Sequence, residues 1–385
     1  MLRTLWVRRS LRFLIPPACV LSLQLVLYPA PLGIVLQGVV VGLLGALVAV
    51  GMALIYRSNR ILNFAQVELG LAPSVLCVYL ITFSAMNYVL AVAIGLVGSV
   101  LVGAIIELAI VRRFFRAPRL ILTVATIGLS QLLVAVSYFI PTIWNQPLLP
   151  ISIHVPLTWS FTVNPLVFSA DYVVALIVAP VALLAVALML RYSNLGVAVR
   201  ASAERADRAA MLGVPVKRLE TIVWIVASVL SFIGVLLQAQ ILGVPPAPNF
   251  NYTVLLAALA AMVLGNMEHL PTIAMSAVVI GVLQQSVIWD QSNPYLPDAV
   301  IAGVVVATLV VRRVATSRLV FGAISSWSAS ELVRPIPREL RQLWEVRTAR
   351  IILALLSIGA AIWLPWLVSG NAGNQLKLTG IVVFT

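Results

Sequence analysis

The chain has 385 residues, of which 62% are hydrophobic and only 10% charged, and it carries a formal net charge of +13. That composition excludes an ordinary soluble globular domain. Its two cysteines, Cys19 and Cys77, exclude a disulfide framework or a cysteine-built metal cluster. Apolar runs of about twenty residues recur along it, each enough to cross a ~30 Å hydrocarbon core as a helix. The fold class is therefore an all-α polytopic membrane protein.

Taken in chain order, the predicted spans begin at 13–30. This start imitates a signal peptide, with arginines, an apolar run and small residues ending at Ala30, but no clean A-x-A site follows. A retained first helix is expected, broken at Pro16 and Pro17. Spans over 33–56, 62–82, 86–110 and 120–144 come next, then a loop over 145–170 and a span over 170–190. After a polar segment at 191–220, further spans cover 221–245, 252–266, 271–289 and 297–311. About ten spans thus form one transmembrane domain over 1–311. Residues 312–350 read as a cytoplasmic linker rich in Ser, Arg, Glu and Pro. A new apolar run opens at Ile351 and another follows near the end, so 351–385 reads as the start of a second, incomplete transmembrane unit. No internal repeat is evident.

The basicity is not a nucleic-acid surface. With a cytoplasmic N-terminus, the inside segments are 1–12, 57–61, 111–119, 191–220, 267–270 and 312–350. Of the 25 Lys and Arg, all but Lys377 fall in them, which is the positive-inside bias of a membrane protein. The outside loops are short except 145–170 and poor in charge. Asp171, Asp290 and Asp298 lie there, read as solvated, and Trp144, Trp159, Tyr138, Trp289 and Tyr295 suit an interfacial belt. Gly42, Gly45, Gly51, Gly95, Gly98 and Gly103 suit close helix crossings.

The inside segment 191–220 is patterned. Ser202 is placed to cap a helix over 203–212, Gly213 suits the left-handed position after it, and Pro215 blocks continuation. Ala203, Ala206 and Ala210 share one face, while Arg200, Glu204, Arg205, Asp207 and Arg208 supply charge around it. An ordered helix outside the bilayer with a small-residue face suits the docking of a partner that supplies energy. The chain has no Walker-type loop to cradle ATP, and with only His154 and His269 a histidine metal site is not expected. Clustered acids or histidines at one membrane depth, which an intramembrane enzyme needs, are missing too.

Polar residues inside predicted spans are few: Asn63, Gln66 and Glu68 in the third, Glu107 in the fourth and Gln131 in the fifth. Such groups cost a few kcal/mol or more in lipid and face protein or a water-filled path. Asn63, Gln66, Glu68 and Gln131 are the candidate path residues. Glu107 is read instead as a packing residue paired with an inside arginine, and Glu68 fits either role.

Three stretches together resemble the permease subunits of branched-chain amino-acid ABC importers. The first runs from Gly42–Leu43–Leu44 to Leu54–Ile55–Tyr56, then Ile61–Leu62–Asn63–Phe64–Ala65 and Glu68–Leu69. The second holds Glu107, Arg112–Arg113, Arg116 and Ala117–Pro118–Arg119–Leu120, leading to Ala125–Thr126–Ile127–Gly128–Leu129–Ser130. The third holds Gly196, Arg200–Ala201, Ala203–Glu204, Ala209–Ala210, Leu212–Gly213–Val214 and Arg218. The chain departs from the family pattern at Gln66 and Val67, where the family has histidine and glycine, and at Asn266–Met267–Glu268–His269, where it has a glycine-rich turn. The resemblance implies a transport subunit of the bacterial inner membrane, not an enzyme, that binds no cofactor itself. It implies cytoplasmic ATPase partners that bind ATP, a second permease subunit or fused half, and an extracytoplasmic substrate-binding protein. Branched-chain or other hydrophobic amino acids, or short amides, would be the substrates, and Arg200, Ala203, Glu204, Ala206, Ala210 and Gly213 would couple to the ATPase. The rival is a secondary transporter of small polar solutes driven by an ion gradient, which calls for broken helices in paired halves.

Overall fold

A computed structural model describes residues 2–114, 119–147, 151–194, 196–199, 211, 215–243, 248–290 and 296–316, excluding the side chains of 2–14, 114, 119–120, 248–251 and 311–316. These residues belong to one compact unit, Met1–Phe321. The expected linker and second apolar unit lie outside the described residues, apart from the helix end at 312–316.

Ten long helices are present among the described residues: α1 Leu2–Leu27, α2 Leu32–Asn59, α3 Glu68–Phe83, α4 Tyr88–Ala109, α5 Arg119–Phe139, α6 Ala170–Tyr192, α7 Val216–Leu242, α8 Pro248–Leu264, α9 Leu270–Asp290 and α10 Leu296–Thr316. Every expected span up to residue 311 coincides with one of them. Six apolar helical stretches are long enough to cross a bilayer: Leu32–Asn59, Tyr88–Arg113, Ile121–Trp144, Ala170–Tyr192, Val216–Leu242 and Leu270–Asp290. The apolar parts of α1, α3, α8 and α10 are shorter.

Three expectations need correction. Pro16 and Pro17 lie within α1 and do not end it. Membrane helices carry proline when neighbours satisfy the freed backbone groups, and α1 packs on α9, where Gln24 Nε2 donates to Ser286 Oγ at 3.1 Å. The third span is helical only from Glu68 onward, because 62–67 forms a turn. The 145–170 loop contains an antiparallel hairpin, β1 Ser160–Val163 with β2 Leu166–Ser169. Phe161 faces Phe168 across it and their rings stack at 5.5 Å, a cross-strand aromatic pair of the kind that holds a short hairpin.

The core lies around α2 and α7, whose apolar windows are 78% and 72% buried, against 28%, 33% and 22% for the spans of α4, α5 and α6. Those three therefore turn most of their surface outward. The packing also repeats. In the first half, α3 packs on α4 and α5, and α3 and α4 both pack on α7. In the second half, α8 packs on α9 and α10, and α8 and α9 both pack on α2. Exchanging α2–α5 with α7–α10 maps one set of contacts onto the other, with α2 against α7 at the centre. The repeat is carried by helix placement.

Close approach depends on missing side chains. A Cβ on Gly42 would lie 2.6 Å from Val278 Cα, and one on Gly103 would lie 2.8 Å from the Trp224 carbonyl. Gly45 is different, since an added Cβ there would meet nothing within 4 Å.

Candidate translocation site

The polar residues expected in the third span gather at the junction between α2 and α3. Arg60 ends α2 in the left-handed conformation (φ 56, ψ 32), and its N–H donates to the Tyr56 carbonyl. Asn63 Oδ1 then accepts from the Ala65 N–H at 3.1 Å. A side chain that takes a backbone donor two residues on competes with helix formation. That competition explains why the helix waits until Glu68.

Gln66 anchors this turn to the central helix. Its Nε2 donates to Ser231 Oγ at 2.7 Å and lies 3.1 Å from the Ala227 carbonyl, while Asn63 Nδ2 donates to its Oε1 at 3.2 Å. Asn63 and Gln66 are both fully buried. Gly51 makes room for them, because a Cβ there would sit 2.6 Å from Gln66 Nε2. Further along α7, Ser228 Oγ donates to the Ser99 carbonyl at 2.7 Å, and Ser74 Oγ lies 3.4 Å from the Phe232 carbonyl. Hydroxyls on α7 and α3 thus tie α3 and α4 to the core.

Of the candidate path residues, Asn63, Gln66 and Glu68 come together, with Glu68 in the first turn of α3 at 4% exposure. Gln131 does not join them; it sits exposed on α5. The coupling candidates Arg200, Ala203, Glu204, Ala206, Ala210 and Gly213 lie outside the described residues.

Glu107 holds one end of α4 to the neighbouring end of α7. Its Oε1 lies 3.4 Å from Arg112 Nε, and its Oε2 accepts from Thr221 Oγ1 at 2.7 Å, linking α4 to α7. Nearby on the same side, Arg60 Nη1 reaches Glu268 Oε1 at 2.6 Å, joining the end of α2 to the turn between α8 and α9. In that turn Asn266 and Met267 adopt positive φ. His269 Nδ1 lies 2.7 Å from Thr272 Oγ1. Desolvation first, and then the Arg57 charge, lower the His269 pKa.

At the opposite end, Asp171 corrects the reading of a solvated carboxylate. It is 3% exposed, and it accepts from the Val155 N–H at 2.8 Å and Ser169 Oγ at 3.0 Å, with His154 Nδ1 2.9 Å away. Three partners offset its burial, and no spacing in the sequence signals residues 154 and 155 folding back onto 171.

Sequence reasoning also missed a largely apolar cavity of about 360 Å³ between α2, α7, α8 and α9, with a few polar side chains in its wall. Its glutamines, Gln37, Gln238, Gln284 and Gln285, sit singly or in a pair within apolar helices. Only their convergence in space marks them. Among the described residues, no group of three or more His, Cys, Asp or Glu is placed to hold a metal ion.

Comparison with known proteins agrees with this architecture. Residues 34–309 match the family model described as branched-chain amino acid transport system / permease component. The chain is 26% identical over 264 residues to the high-affinity branched-chain amino acid transport system permease protein LivH of Salmonella typhimurium, covering 64% of this chain and 83% of that protein. It is 27% identical over 261 residues to the LivH of Escherichia coli, with the same coverage. The probable branched-chain amino acid transport permease protein LivH of Methanocaldococcus jannaschii is 22% identical over 269 residues, covering 69% and 83%. No solved structure matches. The match runs from the start of α2 to the end of α10 and takes in the central helices, the polar turn and the cavity; the chain is a multi-pass membrane protein and belongs to the family of branched-chain amino acid transport system permeases.

Proposed function

We propose that this chain is the permease subunit of an ATP-driven importer that moves branched-chain or other hydrophobic amino acids, or short amides, into the cytoplasm. The observation that carries the reading is the family match over residues 34–309, which includes the polar segment 191–220 along with the helices. The chain sits in a bacterial inner membrane with its N-terminus inside, as the placement of Lys and Arg supports. Two cytoplasmic ATPases, a second permease and an extracytoplasmic binding protein complete the machine.

The work is mechanical. ATPase closure pushes on the helix expected from the sequence at 203–213, and α6 and α7, on either side of the 191–220 segment, carry the displacement into the core. α7 is the right recipient, because it is mostly buried and α2, α3 and α4 all pack on it. The helices offset by five in the packing repeat point in opposite directions if every helix crosses, so the halves can open to opposite faces.

The test is uptake of labelled L-leucine and ATP hydrolysis by the complete transporter in proteoliposomes. Ala206→Arg and Gly213→Val should each keep the chain in the membrane while separating hydrolysis from uptake. Uptake that needs an ion gradient and no ATP, or normal uptake in both variants, overturns the proposal.

A further inference from the structure

Between α6 and α7 the surface carries a groove of about 260 Å³, lined only by apolar side chains, among them Ala185, Met189, Ile225, Val229 and Ile233. Ala185 is exposed and Ile225, Val229 and Ile233 are half-buried, so the groove is open along its length. It faces lipid, because the apolar window of α6 is only 22% buried. From Ile225 to Ile233 it runs about 12 Å along α7, close to one leaflet's half of a ~30 Å hydrocarbon core.

One end of the groove is basic. Arg218 stands seven residues before Ile225 and eleven before Val229, spacings that put it on the groove face of α7. With 27 residues α7 is about 40 Å long, so its first turn reaches past a ~30 Å core into the headgroup layer. Arg218 is exposed there, next to exposed Lys217. On α6, Tyr192 follows Met189 by three residues and Ala185 by seven, so it continues the groove face. The Arg191 guanidinium lies over the Tyr192 ring, 5.3 Å from its centre, which brings a second charge to the same end. Glu220, the one acid of α7, is buried and sits on a different face from Arg218.

We propose that this groove is a binding site for an anionic phospholipid, with one acyl chain along the apolar walls and the headgroup at Arg191 and Arg218. Charge complementarity selects the occupant. A headgroup of net negative charge pairs with both guanidiniums, whereas a zwitterionic one offsets its phosphate with its own cation. In the proposed topology the lipid belongs to the inner leaflet. It bridges the two helices that flank the 191–220 segment and ties their ends to the membrane surface. The inference needs only a membrane-spanning chain and goes beyond the permease reading.

The test is native mass spectrometry of the full chain in detergent, titrated with dioleoyl phosphatidylglycerol and, separately, dioleoyl phosphatidylcholine. The first phosphatidylglycerol binds about tenfold more tightly than phosphatidylcholine. Arg191→Gln with Arg218→Gln, both at exposed positions, removes that preference. Ala185→Phe obstructs the groove without touching the charges and removes the tight site as well. Equal affinity for the two lipids in the parent overturns the proposal. So does a preference that survives the arginine changes, or one that survives Ala185→Phe, since basic surface alone then explains it. Tight binding that disappears when the chain is copurified with a second permease assigns the groove to a subunit contact and also overturns it. None of these outcomes bears on uptake, so the permease reading stands or falls separately.

Discussion

Gln66 Nε2 donates to Ser231 Oγ at 2.7 Å, joining two residues separated by 165 positions in the chain. The bond fixes the turn before α3 to the middle of α7. Gln66 is the hub of the site, since its Oε1 also accepts from Asn63 Nδ2 and its Nε2 lies 3.1 Å from the Ala227 carbonyl, all among buried residues.

Gln66→Leu leaves Ser231, Ala227 and Asn63 short of a partner in a buried site. A destabilisation of about 1–3 kcal/mol is expected, read as a lower melting temperature in detergent. Ser231→Ala alone should cost less, because Gln66 keeps the Ala227 carbonyl. The double variant should fall short of the sum by about 0.5 kcal/mol or more, as groups in contact do; strict additivity would mean the bond contributes nothing.

Gly70 and Gly128 make a paired test of helix contact. A Cβ on Gly70 would collide with the backbone of Ser231 and Phe232, whereas one on Gly128 would meet nothing within 4 Å. Backbone cannot swing aside as a side chain can. Gly70→Ala should therefore sharply reduce the monodisperse protein recovered by size-exclusion chromatography, and Gly128→Ala should leave it unchanged.

His269 gives a pH dependence. Its folded pKa lies below the ordinary value of 6.5, through desolvation first and Arg57 second. The unfolded chain then binds the proton more readily, so stability rises with pH across the window just below 6.5. The contribution is complete above the unfolded pKa and is lost as pH falls through the folded one. Melting temperatures measured from pH 8 to pH 5, about the histidine range, should drop less steeply for His269→Asn. A parallel drop in the two proteins would place the proton elsewhere.

Asp171 organises the far end of the molecule through Val155, Ser169 and His154. Asp171→Ala removes all three contacts and should release the segment before the hairpin. Limited proteolysis should cut near residues 151–158 sooner in the variant, while Asp290→Ala, an exposed carboxylate at the same end, should leave the pattern unchanged.

Much of this fold is legible in the sequence because bilayer thickness dictates how long an apolar run must be. The ten helices among the described residues and the pairing of Glu107 with Arg112 follow from local composition, although α1 begins at Leu2 rather than at 13 and α3 at Glu68 rather than at 62. The turn at 62–67 is not legible by hydropathy, since a single side-chain bond from Asn63 to Ala65 decides it against an apolar background. Asp171 reads as solvated because its partners come from a loop of irregular spacing. The coupling candidates at 200–213 rest on patterning and family resemblance and lie outside the described residues.

The sequence by itself determined the membrane class, the order of the long helices seen among the described residues and the family, because hydropathy, charge placement and short motifs are properties of neighbouring residues. Only the tertiary structure decided which helices form the core, that the two halves repeat in their contacts, and that four scattered glutamines open onto one space. Those outcomes depend on how closely helices approach, and glycines at positions such as 42, 70 and 103 set that distance through atoms they lack.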